Sequence, residues 1–231
     1  MKIALIGYGR MGRIIRGLAE ERGHEVPVVV GEAHEHMLAE RFPETLRMAD
    51  VAIDFSSPDA VRRNVEACML AGIPIVEGTT GWNDQRTDIE NLVADANGAM
   101  VFGANFSIGV NLFYKVAEYA AELFAKFPVY EAFIEEQHHS RKKDAPSGTA
   151  LKLKEIVARH VEKEISISAT RAGNIPGTHR VGFDGPADQI LLEHTARSRE
   201  GFAAGALMAA EWIVGKKGFY EFTDVIDEIC Q

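Results

Sequence analysis

The stretch Lys2-Ile3-Ala4-Leu5-Ile6-Gly7-Tyr8-Gly9-Arg10-Met11-Gly12 decides the fold. A short strand-forming run leads straight into a Gly-x-Gly-x-x-Gly turn. Met11, Ile14, Ile15, Leu18 and Ala19 then recur at helical spacing until Gly23 stops the helix. In a strand–turn–helix of this kind the first glycine makes the tight turn, the second lets backbone approach a pyrophosphate, and the third lets helix and strand pack closely. The helix N-terminus supplies free N–H groups and partial positive charge to that anion. Gly7, Tyr8, Gly9, Arg10, Met11 and Gly12 are therefore candidate cofactor-binding residues.

Working outward, the pattern repeats. Val26–Val30 and Val51–Phe55 read as further strands, and Pro74–Glu77 and Met100–Phe102 as two more. Ser56-Ser57-Pro58 opens a helix over 59–71 that ends at Gly72, and a second helix spans about 84–96. Strand–helix alternation with short connections predicts a Rossmann-type parallel sheet covered by helices on both faces. Ligands sit beyond the carboxyl ends of such strands, so the glycine turn, the Ser-Ser-Pro turn and Gly78-Thr79-Thr80-Gly81 should line one edge. Glu32 follows the second strand, 25 residues after Gly7. That is near the spacing of an acid that binds a ribose 2′-OH, which favours NADH, while Arg10 could reach a 2′-phosphate; NADH or NADPH is expected.

After Asn105 the pattern changes. A long helix over about 110–127, a strand over 129–135, a helix over 149–160 and strands over 165–171 and 189–196 predict an α+β second domain with a mixed or antiparallel sheet. The stretch holding Gly173, Pro176, Gly177, Gly182, Gly185 and Pro186 reads as the connection between the last two strands. Domain boundaries are expected at 1–106 and 107–206, with 207–231 packing back onto the first. The densest polar chemistry runs from Glu135 to Thr149. His138 and His139 point opposite ways on an extended chain. Lys142 adds positive charge, and Pro146-Ser147-Gly148-Thr149 opens a helix whose N–H groups and hydroxyl suit a carboxylate. A small dianionic substrate would find two receptors here. Glu135, Glu136, His138 and His139 could instead be metal ligands, but no further cluster completes a site and no metal is expected. His24, His34, His36, His160 and His179 read as surface or structural.

Composition sets limits. The 231 residues suffice for one or two domains with real cores. A net charge of −9 argues against a general nucleic-acid binder, although Arg141-Lys142-Lys143 is a local basic cluster. Cys68 and Cys230 form neither a disulfide framework nor a metal spacing, which favours a reducing compartment. Neither a membrane-length apolar run nor a cleavable leader is apparent, so a cytoplasmic protein with no membrane partner is expected.

The sequence resembles the 4-hydroxy-tetrahydrodipicolinate (dihydrodipicolinate) reductase family over nearly its whole length. The resemblance rests on Gly7–Gly12, Asp54-Phe55-Ser56-Ser57-Pro58, Gly78-Thr79-Thr80-Gly81, Ala104-Asn105-Phe106-Ser107-Ile108-Gly109-Val110-Asn111 and, most specifically, His138-His139 through Lys142 to Asp144-Ala145-Pro146-Ser147-Gly148-Thr149-Ala150. Arg171-Ala172-Gly173 is a weaker echo. It implies an NAD(P)H-dependent oxidoreductase of the diaminopimelate route to lysine. It further implies that Gly78, Thr79, Thr80, Ala104, Asn105, Phe106 and Ser107 line the nicotinamide side. His138 would be the acid/base residue and Lys142 a proton donor. His139, Lys142, Ser147, Gly148 and Thr149 would surround the substrate carboxylates. A homotetramer built through the second domain's sheet and closure of the domains on their ligands are also implied. The region between Val30 and Val51, about 20 residues, is short beside the insertion that members often carry there. Another two-domain NAD(P)-dependent dehydrogenase would share the glycine turn without the His-His to Ser-Gly-Thr segment. A non-catalytic nucleotide-binding regulator would need no His–Lys pair.

Overall fold

The computed structural model describes residues 1–31 and 42–231. Glu32, His34 and His36 lie outside the described residues. The chain forms two compact units, 1–108 with 199–231, and 109–198.

The first unit is the Rossmann-type domain. Strand β1 (Lys2–Ile6) runs into helix α1 (Arg10–Glu21), then β2 (Glu25–Val30), a short α2 (Phe42–Leu46), β3 (Val51–Asp54), α3 (Val61–Ala71), β4 (Ile75–Glu77), α4 (Arg86–Asp95) and β5 (Ala99–Phe102). The C-terminal segment adds α7 (Glu200–Ile213), β10 (Gly218–Glu221) and α8 (Phe222–Ile229). The six strands are all parallel, in the order β10-β5-β4-β3-β1-β2. The central strands β3, β4 and β5 are buried along their whole length, which is why their sequences are apolar without alternation up to the acidic residues that end β3 and β4. One face packs on α1, α7 and α8 through Ile15, Ala19, Leu207 and Phe222; the other packs through Phe42, Val65, Cys68 and Val93. In α7 the buried face is mostly alanine (Ala203, Ala206, Ala209, Ala210), so the helix can lie close to the sheet.

The C-terminal return begins at Arg199, earlier than the expected 207. The reason is that α7 is one uninterrupted helix whose first turns already bury Ala203 and Ala206 in the first core. Strand β10 is four residues long and α8 spans two turns, with Phe222, Val225, Ile226 and Ile229 at helical spacing.

In the second unit, α5 (Ile108–Phe124, entering from the first unit) and α6 (Gly148–Ala158) accompany a four-stranded sheet of β6 (Glu131–His138), β7 (Ser166–Arg171), β8 (Thr178–Asp184) and β9 (Gln189–Thr195). The order is β7-β6-β8-β9; β6 and β7 are parallel and the other pairs antiparallel, so the sheet is mixed. Phe113, Ala117, Ile134, Leu153, Val157 and Phe183 form its core. The expected Gly/Pro-rich connection is corrected here, because it contains the internal strand β8. Its Gly182 is the register partner of Phe133, and a Cβ at 182 would sit 2.2 Å from the Phe133 ring. The glycine makes room for a cross-strand aromatic rather than marking a loop.

Candidate active site

Parallel strands bring the turns after β1, β3, β4 and β5 to one edge of the first sheet, and chain order reverses between β1 and β3. A cleft of about 380 Å³ opens there, lined by Gly7, Tyr8, Gly9, Arg13, Val30 and Gly31 on one side and Phe55, Ser56, Ser57, Arg63 and Asn64 on the other. Gly7 has φ +85°, and a Cβ on it would lie 2.4 Å from the Phe55 carbonyl oxygen. A Cβ on Gly12 would lie 2.3 Å from the Gly7 carbonyl oxygen, so α1 starts hard against the turn. At Gly9, at the N-terminus of α1, a Cβ would meet no atom of the described residues within 4 Å. The result is a cradle with open backbone N–H groups, which fits a pyrophosphate. Arg10 is exposed at the helix start, Met11 packs into the core, and Tyr8 lies against Arg13 and Arg16. Arg13 and Arg63, which the sequence reading did not single out, put positive charge beside the cleft.

The neighbouring turns are tied together by hydrogen bonds. Ser56 N–H donates to Thr79 Oγ1 (3.1 Å), and Trp82 Nε1–H to the Thr79 carbonyl (2.8 Å). Gly78 lies against the Phe55 ring, and Thr80 is exposed. After β5, Ala104 is exposed and Ser107 N–H donates to Asn105 Oδ1 (2.9 Å). The Phe106 side chain is buried against Phe55 and Phe222. From Phe106 only backbone is available to a ligand.

In the second unit strand register does the assembly. Along β6, Ala132, Ile134 and Glu136 face inward. His138 follows two residues later on the same face. Glu136 is paired with His179 of β8, and His138 with Arg171 of β7. The fully buried Glu136 thereby becomes the hub. Its Oε2 lies 2.9 Å from His138 Nδ1 and 3.7 Å from His179 Nε2. Its Oε1 accepts from Arg171 Nη2 (2.5 Å) and from Ser147 N–H (3.0 Å). Burial works to raise its pKa, but the Ser147 and Arg171 donors outweigh burial and hold it below the usual carboxylate range. Burial lowers His138, with Glu136 opposing and Lys142 and Arg171 adding to the fall. Burial, helped by His138, lowers His179 to about 4.

The Nδ1 edge of His138 faces the Glu136 carboxylate at ion-pair distance, without a formed hydrogen bond, and this leaves Nε2 as the nitrogen turned to a reaction partner. Gly177 lies beside that edge, where a Cβ would come within 3.3 Å of Nε2. Glu136, His138 and His179 have donor atoms within 4.8 Å of one another, a spacing that could hold a metal ion. The Arg171 guanidinium already answers the carboxylate with a positive charge, which opposes a second cation. His139 lies past the end of β6, half-buried, and its Nδ1 meets no partner among the described residues. Lys142 Nζ is 2.9 Å from Asp144 Oδ1, and that contact holds Asp144 below its usual pKa.

Ser147 is buried and committed. It caps α6 by accepting from Ala150 N–H (3.3 Å), its Oγ is 3.1 Å from His179 Nε2, and its own N–H goes to Glu136. The next first-turn N–H groups, of Gly148 and Thr149, have no intrahelical acceptor. Thr149 also hydrogen-bonds the Tyr114 phenol. Arg171 holds the Asp144 carbonyl (2.6 Å), which fixes the approach to the helix. Sequence reading missed the part of His179, treated as structural, and of Glu136 and Arg171 as an ion pair. The i, i+2 spacing of Glu136 and His138 was the one local signal.

Comparison with known proteins agrees over the whole chain. Residues 1–106 match the family described as Dihydrodipicolinate reductase, N-terminus, and 109–226 match Dihydrodipicolinate reductase, C-terminus. The 4-hydroxy-tetrahydrodipicolinate reductase of Christiangramia forsetii is 37% identical over 241 residues, covering 99% of each chain. That of Thermosipho africanus is 38% identical over 231 residues, again 99% of each, so the compact length is shared. Among solved structures, a dipicolinate-bound dihydrodipicolinate reductase from Paenisporosarcina sp. TG-14 has the same fold, with a TM-score of 0.78, 24% identity and coverage of 96% and 97%. A glycine cradle at the sheet's switch point, a carboxylate-held histidine beside a helix start, and these full-length matches lead to one conclusion: the chain belongs to the dihydrodipicolinate reductase family.

Proposed function

We propose that His138, Glu136, Lys142 and the first turn of α6 carry the reduction of 4-hydroxy-tetrahydrodipicolinate to tetrahydrodipicolinate. As a family member the chain is a nicotinamide-dependent oxidoreductase of the diaminopimelate route to lysine. The observation that carries the assignment of residues is the buried Glu136 carboxylate, which holds His138 and Arg171 beside the N-terminus of α6.

The reaction adds one hydride and one proton to the ring and releases the ring hydroxyl as water. A reduced nicotinamide supplies the hydride when bound, and the Gly7–Gly12 cradle with Gly78–Thr80 and Ala104–Ser107 would hold it. His138 exchanges a proton at Nε2, and Glu136 steadies the imidazolium that forms, so the proton is moved without reorganising the site. Lys142 acts as proton donor and, by exchanging Asp144 for substrate, as a carboxylate ligand. The Gly148 and Thr149 N–H groups take the second carboxylate with His139, while Ser147 contributes by fixing Glu136 and His179. Both NADH and NADPH are accepted: Glu32 suits a ribose diol, while Arg13 and Arg63 suit a 2′-phosphate.

The protein works in the cytoplasm as a homotetramer assembled through the sheet of the second unit. Free Cys68 and Cys230 and the exposure of β7 and β9, Leu191 included, support this. No helix among the described residues is long and apolar enough to cross a membrane. The test is substrate-dependent oxidation of each reduced nicotinamide, followed by absorbance with freshly prepared substrate. Oxidation with both cofactors is expected, and none with either would sink the reading. Sedimentation of the purified protein checks the tetramer.

A further inference from the structure

Two buried carboxyl groups have no part in this chemistry. Asp54 ends β3 and Glu77 ends β4, and they are register partners in the parallel sheet. Their side chains therefore leave the sheet on the same face. Both are fully buried. Asp54 is rich in donors: Ser56 N–H reaches Oδ1 (2.8 Å) and Asn64 Nδ2 reaches Oδ2 (2.7 Å). Glu77 Oε1 accepts from Thr79 N–H (2.7 Å). Its Oε2 is buried and has no hydrogen-bond partner among the described residues, on the sheet face that it shares with the buried Asp54 carboxyl. Carboxylates only accept, so two carboxyl groups can bond to each other only if one keeps a proton.

The surroundings say which one. Burial, then the Asp54 charge, push Glu77 well above the usual carboxylate range. Burial raises Asp54 as well, but its donors, Ser56 and Asn64, oppose that rise. From α3, Cys68 faces the pair as a thiol, raised by burial and by both carboxyls, and Arg63 reaches the site only through Asn64 Oδ1 (3.3 Å). No cation among the described residues touches the pair directly.

We propose that Asp54 and Glu77 share one proton, and that this acid pair is a positioning device that sets the spacing of the Ser56 and Thr79 turns and so the affinity for the dinucleotide. The proposal rests on the reading above that these turns receive the cofactor. The connections are short. Asn64 also donates to Ser56 Oγ (3.1 Å), Ser56 N–H donates to Thr79 Oγ1, and Gly78 N–H donates to the Asp54 carbonyl (2.9 Å). Phe55 N–H donates to the Ile6 carbonyl (2.9 Å), and the Phe55 carbonyl abuts Gly7. With the proton lost, two buried anions would face each other across β3 and β4 and push these turns apart.

The test is direct cofactor binding, read by the fluorescence of the reduced nicotinamide, from neutral to alkaline pH. In the native protein the Kd rises about tenfold as Glu77 loses its proton and the shared hydrogen bond is lost. Glu77→Gln keeps a donor toward Asp54 and has no proton to lose, so its Kd curve stays flat where the native curve climbs. In infrared spectra the native protein shows a protonated-carboxyl band at neutral pH that titrates with the Kd and is absent from Glu77→Gln. Parallel Kd curves for the two proteins, or no such band in the native protein, overturn the proposal. If Glu77→Gln folds poorly by circular dichroism, the native band and native Kd decide alone, since the proposal requires them to titrate together. Gly9→Val separates the two readings. If it binds cofactor as well as the native protein, the cleft assignment itself fails. If it loses affinity while the native Kd ignores pH, only the acid pair fails.

Discussion

The two halves of the chemistry are built in different ways. The dinucleotide end of the first unit is made from turns whose residues are neighbours in sequence: Gly7–Gly12, Phe55–Pro58, Gly78–Gly81 and Ala104–Ser107. The histidine cluster of the second unit is made from residues on three strands and a helix, Glu136, His138, Arg171, His179 and Ser147, joined by register. A turn can be altered locally and leave its neighbours intact. A register-built hub concentrates several roles on one carboxylate, so damage there should spread.

The largest effect tests the hub's reacting member. His138→Ala should lower kcat by roughly 10²–10⁴-fold, the usual range for a general acid–base, with cofactor Kd unmoved. A shift in Kd would show that the two halves are not separable. Next is Glu136→Gln, which strands Arg171 and the two histidines. It should cost about 3 kcal/mol of stability in urea unfolding, as expected when one partner of a buried ion pair is removed. A loss no greater than that of a surface substitution would break the picture of a hub.

Lys142→Ala is a smaller change, because Lys142 is partly exposed and its ion pair among the described residues is with Asp144. Turnover should fall by about 10²-fold, with a several-fold rise in substrate KM, measured in steady state. Acid should then find the cluster before the cradle. His179 sits at about 4 when folded, below the ordinary histidine value near 6.5. The unfolded chain binds the extra proton first, so its contribution is present above pH ~6.5 and is lost as pH falls through 4. The loss should be ~2–3 kcal/mol in unfolding free energy across that window, and His179→Gln should flatten it. Smallest is Gly12→Ala. Its Cβ would strike the Gly7 carbonyl, so it should cost ~1–3 kcal/mol and weaken cofactor binding, leaving the His179 acid transition where it was.

The same contrast explains what could be read from the sequence. The cradle was legible because its physics is local: strand, glycine spacing and helix start all lie within eleven residues, Lys2–Gly12. The Ser147 cap was legible for the same reason. Glu136, Arg171 and His179 were not, since 35 and 43 residues separate the last two from Glu136 and only strand pairing brings them together. Strand β8 was hidden by its own Gly182, which fits Phe133, and by Gly177 just before it, which fits the His138 edge. Acidic residues at the ends of β3 and β4 looked like two separate strand ends until the sheet order made them neighbours.

The division of the chain carries a consequence for its synthesis. The first unit is interrupted, with 109–198 inserted between its two pieces, and its edge strand β10 pairs with β5 from 119 residues away (Gly218 against Ala99). A ribosome therefore delivers the inserted unit whole before it delivers the strand and helices that finish the earlier one. The inserted unit can fold as a continuous segment while β5 remains an open edge and Leu207, Ile213 and Phe222 have yet to arrive. Long-range closure of this kind is slow, and an open edge invites association. During translation, then, the unit begun earlier is completed later, and the nascent chain is most in need of protection while residues 199–231 are still being made.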